Sequence, residues 1–131
     1  MTVPVVVATG AVIRRGSHLL LVQRKQPPEA GRWSLPGGRV EPGETLRRAV
    51  RREVGEELAL DATIGELIGV VERRGPEYHY VIADFHATVD ANATPVAGDD
   101  AAACEWVPLN QLDSWDLVEG LSEFLTDVGI C

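Results

Sequence analysis

Three carboxylates stand where their charges must add. Glu53, Glu56 and Glu57 lie in the stretch Gly38 to Leu60, GRVEPGETLRRAVRREVGEELAL. Residues three and four apart on a helix share a face, so these acids would crowd one side of it. Like charges at that range repel one another. The arrangement is tolerable on a solvated face, or around a divalent cation. Hard cations such as Mg²⁺ take oxygen ligands and keep waters and substrate phosphates in their shell.

The helix that would position these acids is written in the same stretch. Leu46, Ala49, Val50, Val54 and Leu58 recur at helical spacing as an apolar stripe. Thr45 follows a Pro42-Gly43 turn and is placed to act as N-cap, with Arg48 where a capping box would put an acid. Arg47, Arg48, Arg51 and Arg52 decorate the polar side. Gly55 costs about 1 kcal/mol against Ala in a helix interior. Its lack of a side chain would admit another backbone, or a metal shell, at close range.

On these residues the stretch resembles the Nudix box. That pattern is Gly, five residues, Glu, seven residues, Arg-Glu, an aliphatic, one residue, Glu-Glu, one residue, Gly, an aliphatic. The chain supplies Gly38, Glu44, Arg52, Glu53, Val54, Glu56, Glu57 and Leu60, and has Ala59 where the pattern has Gly. Gly38 and Glu44 lie outside the charged run and still match, which a merely solvated Glu/Arg helix does not account for. A Gly at the end of a helix commonly closes it in the left-handed conformation. With Ala59, either the helix ends differently or a strain of about 1–2 kcal/mol is accepted. Upstream, Trp33-Ser34-Leu35-Pro36-Gly37-Gly38 is similar to the family's lead-in to the box.

The resemblance implies site roles. Glu53, Glu56 and Glu57 would hold Mg²⁺ or Mn²⁺, joined by a backbone carbonyl at Gly37 or Gly38. Arg52 would fix a carboxylate through a contact made by the loop before the helix, being too near Glu53 in sequence to share its helical face. Glu44 would complete that scaffold or the outer metal shell. Arg24 and Arg39 either reach substrate phosphates or are ordinary surface arginines, and Gly37 and Gly38 let the backbone approach substrate. Family members often carry an acid before a Trp-Val-Pro-Leu strand, and Asp99 or Asp100 stands there. It would be a ligand or a base, or else a turn or cap residue. Glu53, Glu57 and the acids of that loop all remain candidates for general base.

The rest of the chain supplies the frame. Val3 to Arg14 and His18 to Arg24 read as a hairpin about Arg15-Gly16-Ser17. Leu67 to Val71 and Tyr78 to Val89 read as a second hairpin, with Arg73 to Glu77 as its turn. Tyr78, Tyr80, Ile82, Asp84 and His86 share one face, as a pocket wall or as an exposed sheet face. Ala102 to Val107 is a short strand, with Cys104 a core residue. Trp115 to Asp127 reads as a final helix capped by Ser114, its stripe made of Leu117, Val118, Leu121, Phe124, Leu125 and Val128. Trp33 is read as core packing and His18 as a solvated turn residue. The fold class is α/β, and the resemblance sharpens it to the Nudix α/β/α sandwich with a mixed central sheet, one domain over residues 1–131.

Composition sets outer limits. The chain has 131 residues and is 45% hydrophobic, enough for one domain with a real core. A net charge of −8 disfavours nonspecific binding to nucleic acid or membrane. Two cysteines, Cys104 and Cys131, make no disulfide framework. No leader-like segment or apolar run of membrane-spanning length is read from the sequence, so a cytoplasmic protein is expected. A homodimer is left open. The resemblance implies hydrolysis of a pyrophosphate joining a nucleoside to another group, with ADP-ribose or a similar nucleoside diphosphate derivative favoured. The alternatives are a nucleoside triphosphate pyrophosphatase and a non-catalytic ADP-ribose-binding module.

Overall fold

The β-branched run of β1 (Val5–Arg15) feeds two cores at once. Ala11 and Ile13 point to one side of the sheet and Val12 to the other. The same division runs along β2 (His18–Arg24), with Leu20 and Val22 on one face and Leu19 and Leu21 on the other. Strands apolar on both faces belong inside a sandwich. Here that is the outcome. The computed structural model describes residues 2–131.

After β2 come β3 (Trp33–Ser34), β4 (Gly37–Arg39), α1 (Leu46–Leu58), β5 (Thr63–Arg74), β6 (His79–Thr88), β7 (Ala101–Pro108), a 3₁₀ turn (Leu109–Ser114) and α2 (Leu121–Asp127). The strand order is β3-β2-β1-β6-β5, with β4 paired to β1 and β7 to β2. β1 and β6 run parallel and the other pairs antiparallel, so the sheet is mixed. Val50, Val54 and Leu58 of α1 pack on one face with Phe85. Leu121 and Leu125 of α2 close the other face over Val12 and Leu21. No helix among the described residues is long and apolar enough to cross a membrane.

Three local expectations change. The first hairpin is only two residue pairs long, Arg14–Leu19 and Arg15–His18. Beyond it β1 leaves β2 and pairs with β4 over Ala8 to Gly10 and with β6 along most of its length. The final helix begins at Leu121, not Trp115. Trp115 to Val118 instead lies beside β3, where Trp33 N–H donates to the Asp116 carbonyl and Val118 N–H to the Trp33 carbonyl, at 2.8 and 2.9 Å. Gly120, with φ of 83°, then turns the chain into α2, and Ser114 bonds back to the Gln111 carbonyl instead of capping a helix. Gly55 admits no close neighbour, for a Cβ there would meet only the Leu60 carbonyl at 3.7 Å.

Two other expectations hold. Trp33 packs edge-on against Trp115, as a core residue. Cys104 packs against the core on the α1 side.

Candidate active site

α1 starts and stops as its sequence dictates. Thr45 Oγ1 accepts the Arg48 N–H at 3.2 Å, the N-cap bond. At the other end Ala59 takes the left-handed conformation at φ 56° and donates its N–H to the Gly55 carbonyl. The strain of about 1–2 kcal/mol is therefore accepted. The segment before β7 seals the remaining carbonyls: Gly98 N–H donates to Glu57 O at 2.7 Å and Val96 N–H to Leu58 O at 2.9 Å. A side chain on Gly98 would collide with the Glu56 carbonyl. Docking this loop on the helix end brings Asp100 to the mouth of the site.

Arg52 organises the acids. Its Nε and Nη2 grip both oxygens of Glu44, at 2.7 and 2.9 Å. Nη1 donates to Glu53 Oε1 at 2.9 Å and to Glu56 Oε2 at 3.3 Å, and Nη2 to the Arg39 carbonyl at 3.0 Å. The loop contact is as the resemblance implies. The side chain also reaches Glu53, its immediate neighbour, which helical spacing alone argues against. Hydrogen bonds from Arg52 and the Glu41 N–H hold Glu44 down at about 2. Arg52 itself is raised, first by its bond to Glu44.

The acid trio divides. Glu57 is 9% exposed and accepts the Gly37 N–H at 3.1 Å. Burial, opposed by that bond and reinforced by Glu53 and Asp100, raises its pKa to about 7. Burial likewise raises Glu53, against the pull of Arg52. Glu56 keeps a 54% exposed side chain at the rim, turned to Arg52. Among the described residues no three acidic, His or Cys side chains form a ready metal cluster. Glu53 and Glu57 face a cavity of about 830 Å³, with Asp100 at its edge; Asp99 does not line it. Arg24 and Arg39 both line the cavity. Arg24 donates to the Pro28 carbonyl at 2.7 Å, and Arg39 lies over the Tyr80 ring and donates to its hydroxyl at 3.1 Å. The size suits a nucleotide-scale ligand.

Two cavity residues escaped the sequence reading. Arg73, placed there in a turn, lies in β5 and pairs with the partly buried Glu29 of the loop after β2, which also accepts the Glu119 N–H. Nothing in the sequence links positions so far apart. Asp84 was visible only as a polar residue among aromatics. It is 3% exposed and lines the cavity.

The family model for the NUDIX domain matches residues 4–128. The chain belongs to the Nudix hydrolase family. The Nudix relatives include a protein of Mycobacterium tuberculosis provisionally assigned as 8-oxo-dGTP diphosphatase 2, 50% identical over 134 residues and covering 94% of each chain. The ADP-ribose pyrophosphatase of Methanocaldococcus jannaschii is 39% identical over 108 residues, 81% of this chain. The matched stretch spans 63% of that archaeal relative's own length. The crystal structure of a MutT protein from Methanosarcina mazei Go1 superposes with a TM-score of 0.89 at 27% identity, over 99% of this chain and 96% of the other. The α/β/α sandwich expected from the Nudix box is thus the observed fold.

Nudix hydrolases generally use divalent metal ions. The donors here fit a hard cation. They are oxygens only: Glu53, Glu57 and, at the rim, Glu56. Gly38 leaves the room a cation needs, for a Cβ there would fall 2.5 Å from the Glu53 carboxyl. Burying two acids near a third, with only Arg52 and a backbone N–H in compensation, is a cost that a bound cation would relieve.

Proposed function

We propose that the chain is a divalent-metal-dependent pyrophosphohydrolase that cleaves a phosphoanhydride bond of a nucleotide. The carrying observation is the buried Glu57 and the half-buried Glu53 facing the cavity, held from behind by the Arg52–Glu44 clamp. A phosphoanhydride is densely anionic, and a protein of net charge −8 must offset that locally before water can attack phosphorus. A bound Mg²⁺ or Mn²⁺ supplies that neutralisation and a more acidic water.

The chain's own residues do the rest. Glu53, Glu57 and the Gly38 carbonyl would hold the cation, with Glu56 at the rim beside them. Arg52 positions Glu53 and ties it to the loop at Glu44. Arg24 and Arg39 bind phosphate oxygens, and the Gly37 N–H fixes Glu57 at Oε1.

Nucleoside triphosphates are the substrates this reading favours, since the relative matched over 94% of both chains is provisionally assigned as an 8-oxo-dGTP diphosphatase. ADP-ribose, which the sequence favours, is the second reading and is supported by the archaeal relative. A panel of nucleoside triphosphates, ADP-ribose and nucleotide sugars with Mg²⁺ decides between them. Release of a nucleoside monophosphate from a triphosphate is the expected result. AMP mainly from ADP-ribose would favour the second reading, and no turnover of any member would contradict hydrolysis.

A further inference from the structure

Asp84 is an acid without a structural reason to be buried. Burial raises its pKa to about 7, and no hydrogen bond or neighbouring charge among the described residues offsets that cost. Buried polar groups are normally partnered, so an unpartnered one invites a ligand as its partner.

Its surroundings make room for the carboxyl at the cavity wall. Asp84 pairs in register with Gly69 of β5 on one side and Gly10 of β1 on the other, and Gly10 pairs with Gly37 of β4. Across four strands the row therefore reads Gly69, Asp84, Gly10, Gly37, with one side chain in it. A Cβ on Gly10 would overlap the Asp84 carboxyl, and one on Gly69 would press on the Phe124 ring at 3.2 Å. The row ends at Gly37, whose N–H donates to Glu57. The space beside Gly10 is taken by the Asp84 carboxyl and Gly69 faces the Phe124 ring of α2, and the cavity that Asp84 lines continues to Glu53 and Glu57. The Phe124 ring, which lines the same cavity as Asp84, offers a stacking face for a planar heterocycle whose edge meets the acid.

We propose that Asp84 is a specificity residue that hydrogen-bonds the amino-bearing edge of the substrate's nucleobase. When ionised, its carboxylate accepts from the exocyclic amino group of cytosine, adenine or guanine, and with guanine the second oxygen also accepts from N1–H. Uracil places a carbonyl oxygen where cytosine carries the amine, which repels an ionised carboxylate, so the preference is read at pH 8, above the Asp84 pKa of about 7. The inference rests on the nucleotide-hydrolase reading for the placement of phosphate near Glu57, but not on turnover.

The test therefore uses binding. Calorimetric titration of the wild-type protein with CMP, AMP, GMP and UMP measures base preference directly, alongside D84L and the near-isosteric D84N, with circular dichroism to establish that each is folded. Wild type is expected to bind at least one amino-bearing nucleotide about tenfold tighter than UMP, the scale of one good base contact. D84L should bring that ratio within about threefold, and D84N should reduce it in part. If D84L does not fold, the loss of preference in D84N decides. Equal wild-type affinity for UMP, no binding of any of the four, or a folded variant with full preference would overturn the inference. A protein that hydrolyses triphosphates without an Asp84-dependent preference contradicts this inference alone. One that shows the preference without hydrolysis contradicts only the activity.

Discussion

The two ends of the cavity are built on opposite principles. At the Glu57 end the exposed and buried acids have partners: Arg52 contacts Glu44, Glu53 and Glu56, and a backbone N–H holds Glu57. At the Asp84 end a single acid stands among glycines with nothing bound to it. The first end is a preorganised scaffold whose cost is largely met within the protein. The second keeps its cost until something else enters. Catalytic geometry calls for the first arrangement. Recognition of a variable group calls for the second, since a residue already satisfied has nothing to offer a ligand.

Removing a carboxylate at the scaffold end should have the largest effect. Glu57→Gln is expected to lower metal-dependent turnover by about 10²-fold or more, with the fold unchanged by circular dichroism. Wild-type turnover would mean that Glu57 is no ligand. Arg52→Lys keeps the charge and loses the two-pronged grip on Glu44. It should cost about tenfold or more in kcat as Glu53 loses its fixed orientation, and Glu44→Gln should reproduce much of that loss. Variants with unchanged kcat would reduce the clamp to a surface ion pair.

At the other end the largest effect is on stability. The folded pKa of Asp84, about 7, lies above the ordinary 3.8. The folded protein therefore holds an extra proton between those values, and stability falls as pH rises through them. The penalty is absent below about pH 4 and reaches on the order of 4 kcal/mol above pH 7, at about 1.4 kcal/mol per pH unit. Asp84→Asn removes it. Urea midpoints should show the variant more stable than wild type at pH 8 and equal to it at pH 4. A constant offset at both would show that folding leaves the Asp84 pKa unshifted. The smallest effect is at neither end: Gly55→Ala meets no close atom and should add about 0.5–1 kcal/mol without touching turnover.

The contrast also explains what could be read in advance. The scaffold end is local in sequence. The cap at Thr45 and the acids of α1 lie within one stretch and obey local spacing, and the resemblance to the Nudix box implies the contact of Arg52 with the loop before the helix. Even there the long Arg52 side chain reached Glu53 against the spacing rule, and Glu56 turned away from the cavity. The Asp84 row is assembled from four strands whose pairing rests on the parallel β1–β6 contact, and no interval along the chain encodes that. Hydrophobic pattern likewise named the right residues of the C-terminal segment but not its shape. Leu117 and Val118 do enter the core with Leu121 and Leu125, yet as extended chain beside β3, because the backbone bonds to Trp33 and the turn at Gly120 prevail over helical periodicity.

The most direct test is calorimetric titration of Mg²⁺ or Mn²⁺ into the wild-type protein and into Glu53→Gln/Glu57→Gln. A single tight site in the wild type, lost in the folded double variant together with hydrolysis, is the predicted result. Equal metal binding by the two proteins would contradict the assignment of this carboxylate pair as the metal-binding centre.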